Sequence, residues 1–266
     1  GKEVSDDSLM MCDIKASVFS LAVLGVRDMQ FLWRKIYSIA QKTDRIAAGD
    51  TACGFANTAM VLAEKKFIPK IYAALIRVIS VVRTIVAIEE GASGPDKDCS
   101  YEGPYLKAIT GTPISMEGKS ATCAHLSSVG NITSACADLW SNESVQNIKL
   151  LSGYAPIASY ESLEYDTRLM NSAIKMGKNE QLLLQRMYID SDQYFDPQAL
   201  ILDPGNVIEI SRELIQGNSY VENAKNGALK ALEIIEDAIK SGKMKLPENE
   251  IAYIPLLRDE LNTIPD

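Results

Sequence analysis

Between Ile68 and Ile88 the chain reads Ile-Pro-Lys-Ile-Tyr-Ala-Ala-Leu-Ile-Arg-Val-Ile-Ser-Val-Val-Arg-Thr-Ile-Val-Ala-Ile, with charge only at Lys70, Arg77 and Arg83. A helix that is apolar all round has no face to give to water and must be buried. Pro69 suits the first turn of such a helix, because its missing N–H is one the helix does not need there. The helix is expected to run through Glu90. A bilayer span would need about 20 uninterrupted apolar residues, and cations at mid-membrane depth are rare and costly. The run therefore reads as a buried or interface helix, and no membrane is expected.

The chain has 266 residues, 47% apolar and 23% charged, which is enough to bury a sizeable core as one large domain or two small ones. A net charge of −8 argues against nucleic acid, since phosphate binding is driven by clustered Lys and Arg. Cys12, Cys53, Cys99, Cys123 and Cys136 are odd in number and irregular in spacing, so a disulfide framework is not expected and the compartment reads as reducing, hence cytoplasmic. Gly1-Lys-Glu-Val opens without Met and reads as a loop already in progress, the start of a fragment or processed product.

Along the first half, short apolar runs alternate with helical patterns. Ala16–Gly25, Ile46–Gly49 and Pro113–Met116 are strand candidates; the rival reading of the first is a buried helix end. Arg27–Thr43, Gly54–Lys66, Pro104–Ile109, Ile132–Trp140 and Glu143–Leu151 are helix candidates. Alternation of this kind predicts an α/β class with parallel strands. Three strands cannot close an eight-stranded barrel, so a parent barrel would have its other strands upstream of Gly1. From Glu161 the alternation fades into helical patterns at 161–176, 180–188, 207–215, 220–241 and 248–261. The expected organisation is a partial α/β barrel over 1–160 and a mainly helical region over 161–266, packing on the barrel or on a partner.

Three cysteines sit where an apolar run gives way to a polar turn beside acids: Cys53 after Gly49-Asp50, Cys99 in Gly94–Gly103, and Cys123 after Glu117-Gly118. Thiolates held by separate elements can form a zinc site, and barrel rims are where such turns converge. Buried, unpaired thiols are the bland alternative, and they suit Cys12 and Cys136 better. Asp50, Asp98, Glu102 and Glu117 could serve as ligands, proton carriers or turn formers. His125, the one histidine, removes most imidazole-based chemistry; it could couple to Cys123 or be a hydrogen-bonded loop residue. No phosphate-binding glycine motif is present in the sequence.

Four stretches, Gly49-Asp-Thr-Ala-Cys-Gly-Phe-Ala-Asn-Thr-Ala-Met-Val-Leu-Ala63, Gly94-Pro-Asp-Lys-Asp-Cys-Ser-Tyr-Glu-Gly103, Pro113-Ile-Ser-Met-Glu-Gly-Lys119 and Trp140-Ser-Asn-Glu-Ser-Val-Gln-Asn147, together resemble the methanol:corrinoid methyltransferase family. The resemblance runs from Gly1 to Asn171 and implies the zinc-containing catalytic subunit, here the C-terminal portion of a TIM-type (β/α)8 barrel followed by a helical layer. It further implies an enzyme that activates methanol with zinc and passes the methyl group to the cobalt of a separate corrinoid protein. The setting would be methanol-dependent methane formation or related anaerobic one-carbon metabolism, in a hetero-oligomer. By the same resemblance Cys53 and Cys99 are the zinc ligands, with Cys123 in reserve, and the family's glutamate ligand is expected upstream of Gly1. Asp50 and Glu102 are the candidates to protonate the departing oxygen. Two competing functions are a non-catalytic subunit that docks a corrinoid protein or other partner, and a metal-free thiol enzyme using Cys123 and His125.

Overall fold

Ile14, Val18, Leu21, Gly25, Met29 and Trp33 are all buried, at intervals of three and four residues, and this period is that of a helix and not a strand. Helix α2 (Ile14–Phe19) passes through a single π-helical stretch, Ser20–Leu24, directly into α3 (Gly25–Lys42). The predicted strand at Ala16–Gly25 is therefore helical. Ten residues interrupted only by Ser17 and Ser20 are too short to show the period that a longer window reveals.

The computed structural model describes residues 2–47, 53–93, 102–111, 128–134 and 157–265, and no strand occurs among them. This overturns the expected α/β class and the partial TIM-type barrel. Ile46 and Ala47, the described part of the second strand candidate, form no ladder; the third candidate, Pro113–Met116, lies outside the described residues.

The apolar run forms α5 (Lys70–Glu89), buried from Ile71 through Val82. Against it pack α3, α4 (Cys53–Glu64), α10 (Pro197–Leu200) and α12 (Tyr220–Lys240), and α6 (Gly103–Thr110), which follows α5 along the chain, also touches it. Although α5 is long and apolar enough to cross a membrane, 83% of its most apolar window is enclosed by the rest of the molecule, so it is the core helix. Around this layer lie α1 (Lys2–Met11), α7 (Ser128–Ser134), α8 (Ile157–Met176), α9 (Lys178–Gln193), α11 (Pro204–Glu213), α13 (Glu248–Ile251) and α14 (Tyr253–Asn262). One hydrophobic core runs from Leu9 to Ile264, so residues from both halves of the chain share it.

Two sets of polar contacts fix neighbouring elements to the core helix. Tyr72 on α5 donates its hydroxyl to the Ser8 carbonyl at 2.9 Å and meets Ser17 Oγ at 2.7 Å, fixing α1 and α2 to the core helix. Burial pushes the Tyr72 phenol well above its ordinary range. The start of α5, capped by Pro69 without a side-chain oxygen, is satisfied from a distance: the Glu250 carboxylate accepts the Lys70 and Ile71 N–H groups at 2.9 and 3.2 Å.

Candidate functional site

Arg77 lies at the middle of α5 with no exposed surface, flanked in sequence by Leu75, Ile76, Val78 and Ile79. An unpaired charge there would cost several kcal/mol, so its position is decided by what surrounds it. Among the described residues its guanidinium reaches groups on two other elements. From α4 come the Asn57 side-chain oxygen, 3.4 Å from both Nη1 and Nη2, and the Ala56 carbonyl, 3.3 Å from Nη2. From the start of α6 comes the Glu102 carboxylate, with Oε1 3.5 Å from Nη1 and only 1% of the side chain exposed. Asn57 is also buried, at 3%. The cluster is a buried, three-element junction between α4, α5 and α6.

A second contact lies on the other side of the same two segments. The backbone N–H of Ser93, just past α5, donates to the Ala47 carbonyl at 2.8 Å, and the Ser93 hydroxyl donates to the same oxygen at 3.2 Å. Ala47 leads into Asp50 and Cys53; Ser93 leads into Cys99 and Glu102. The described residues that flank the two cysteine-bearing stretches are thus joined twice, Ala47 to Ser93 directly and Asn57 to Glu102 through Arg77. Gly91, two residues before Ser93, has φ +105°, a conformation that favours glycine, and a Cβ there would fall 2.4 Å from the Tyr37 ring. The turn at the exit of α5 is built for that glycine. Farther along, α6 is held by Tyr105, whose hydroxyl donates to the Ile201 carbonyl at 2.6 Å.

Of the residues singled out from sequence, the structure places Glu102 in this junction, facing Arg77, and Cys53 at the first residue of α4. The side chain of Cys53 lies outside the described residues, as do Asp50, Asp98, Cys99, Glu117, Cys123, His125 and Cys136. Among the described residues no group of three His, Cys, Asp or Glu side chains is placed to hold a metal ion. The donor chemistry of the two cysteines fits zinc, since thiolates are soft ligands. Cys12 is half-buried and apart from this junction; burial, and then the Glu250 charge, push its thiol up.

Sequence reasoning missed Arg77 and Asn57. Arg77 was visible only as an interruption of an apolar run. The signal was there: a cation at the centre of a helix apolar on every face has to meet a buried acid.

The sequence matches the family of methanol-cobalamin methyltransferase B subunits over residues 1–266. It is similar to the methanol–corrinoid protein co-methyltransferase of Methanosarcina barkeri (strain Fusaro), 40% identical over 270 residues that take in 100% of this chain and 58% of the relative. It is also similar to a chain in the crystal structure of the methanol:cobalamin methyltransferase complex from Methanosarcina barkeri. There the TM-score is 0.84 and the identity 40%, covering 100% of this chain and 58% of that one. The chain thus spans somewhat over half the length of the relatives it matches.

Proposed function

The chain belongs to the methanol-cobalamin methyltransferase B subunit family, and from that premise we propose that it is the part of a methanol:corrinoid methyltransferase that supplies two zinc-holding thiols, Cys53 and Cys99. The observation that carries this reading is the double tethering of the two cysteine-bearing segments, by Ser93 to Ala47 at one end and by Arg77 to Asn57 and Glu102 at the other. The names of its relatives support methanol as substrate and a corrinoid protein as partner in a hetero-oligomer. The setting is cytoplasmic, methanol-dependent methane formation or a related anaerobic one-carbon metabolism.

In the proposed reaction the carbon–oxygen bond of methanol breaks and a carbon–cobalt bond forms. Reduced cobalt on the partner supplies the electron pair, and the oxygen leaves with an added proton as water. When bound, zinc supplies Lewis acidity that stabilises the negative charge developing on the methanol oxygen. The residues of this chain contribute position and a proton. Cys53 and Cys99 hold the metal, with Cys123 as the reserve ligand. Asp50, three residues before Cys53, is the proposed proton carrier to the departing oxygen. Glu102, also a candidate for that role, is turned toward Arg77, an arrangement that favours a part in holding the junction. A small substrate aligned in a water-poor site gains most from such fixed geometry.

Elemental analysis for zinc tests this reading, on the chain and on the same sequence extended upstream to the length of its relatives. About one zinc per extended chain, lost in Cys53→Ser and Cys99→Ser but retained in Cys123→Ser, is the expected result. Loss with Cys123→Ser instead would reassign the ligand, and absence of zinc in every form would sink the metal reading. Methyl transfer from methanol to the corrinoid protein, unchanged by Asp50→Asn, would remove Asp50 from the proton step.

A further inference from the structure

We propose that Arg77 is the positioning residue of this site: its guanidinium ties the first turns of α4 to the start of α6 and thereby fixes the anchors from which Cys53 and Cys99 are held. The inference rests on the reading of those two cysteines as the working thiols. Asn57 lies one helical turn beyond Cys53, about 6 Å along the α4 axis. Glu102 lies three residues beyond Cys99, a reach of at most about 11 Å. Arg77 therefore grips each cysteine's segment within one turn or three residues of the thiol.

Stability alone gives little reason for this arrangement. Both partners are taken out of water, and replacing a buried ion pair by apolar residues of similar volume is often neutral or stabilising. A merely packed core would do as well with Met and Leu. What the pair adds is direction: one planar fork addresses Ala56, Asn57 and Glu102 at once. A lysine's single ammonium could not reproduce that fork, which makes Arg specific to the task. Wrong placements of α6 against α4 would leave a buried charge without its partner, so the cluster selects one arrangement among the many that apolar packing allows.

The test separates placement from stability and from metal. In a background with all five cysteines replaced by Ser, spin labels are put at Thr58→Cys on α4 and Ala108→Cys on α6, both exposed positions, and their distance distribution is measured by electron paramagnetic resonance. Arg77→Met combined with Glu102→Leu should melt within a few degrees of its parent yet broaden the distribution, with Arg77→Lys intermediate. In the upstream-extended protein with its native cysteines, the same double substitution should weaken zinc about 10- to 100-fold, the usual cost of losing residues that orient ligands, as read by chelator competition. An unchanged distance distribution, or zinc affinity held within about twofold, would overturn the proposal. If the unaltered extended protein holds no zinc, the ligand reading falls and the distance measurement alone decides Arg77.

Discussion

The start of the core helix offers a sharp test of how this molecule is assembled. Helix α5 begins after Pro69, which has no side-chain oxygen to accept the first free N–H groups. Glu250, 180 positions away in the sequence, does so instead through both carboxylate oxygens. Loss of a side-chain cap costs about 0.5–2 kcal/mol, and a carboxylate facing the positive end of a helix adds about 0.3–1 kcal/mol. Glu250 is half-buried, and the two contributions overlap, so about 1–2 kcal/mol is expected for Glu250→Ala. At about 2–4 °C per kcal/mol for a chain of this size, Tm should fall by about 2–8 °C. Glu250→Gln keeps one acceptor and loses the charge, and should fall between. Glu248→Gln, an exposed acid two residues earlier on the same short helix, is the control and should move Tm by less than about 1 °C. Thermal melts followed by circular dichroism at one ionic strength read all three. If Glu250→Ala and Glu248→Gln melted together, the remote cap would not be holding α5, and the contact would be a consequence of packing rather than a cause of it.

Three further outcomes follow from local geometry. Gly227→Ala should destabilise by about 1–3 kcal/mol although alanine is the better helix former, because a Cβ on α12 there would lie 2.6 Å from Leu214 Cδ2 and 3.1 Å from Val78 Cγ1; urea unfolding reads it. The Tyr220 phenol, pushed up to about 12 by burial and then by its hydrogen bond to Glu89, keeps its proton in the folded state where the unfolded chain has lost it. Stability from this group is full below pH 10.0, its ordinary value, and is lost as pH rises toward about 12, so the gap between the parent and Tyr220→Phe in urea should narrow across that window. Cys12, whose thiol is raised by burial and by Glu250, should alkylate slowly near neutral pH, and Glu250→Gln should speed it; mass spectrometry of the Cys12 peptide against time checks both, and equal rates would remove Glu250 from the thiol's surroundings.

Where a helical period was long enough to read, the sequence was legible. In Tyr220–Lys240 the spacing marks a stripe of Ala224, Ala228, Ala231, Leu232, Ile235 and Ile239, of which all but the half-buried Ile239 are buried, and α3, α4, α5 and α6 fall within a few residues of their expected spans. Ala16–Gly25 was not legible, because over ten mostly apolar residues a helix and a strand cannot be told apart by periodicity. With that strand gone the alternation that suggested a barrel loses its first member. The C-terminal pattern 248–261 was read as one helix but is two, α13 and α14, and Pro255 explains the break: it has no N–H to give to the Ile251 carbonyl, so α13 cannot run on and a new helix starts at Tyr253.

The site was harder to read for a different reason. Cysteines, acids and glycines at turns announce themselves one at a time, whereas the group that brings two such turns together stands elsewhere in the chain: Arg77 is 20 residues from Asn57. Its partner could have been narrowed from the sequence by a counting argument. Among the segments flanking the apolar run, a buried cation needs a carboxylate at a place where a helix or turn enters the core, and Glu102, followed directly by Gly103-Pro104 at the head of a short apolar helix, is such a place. A fully buried charge in a mostly apolar helix is thus a pointer to a second segment, and here that segment is the one that carries Cys99.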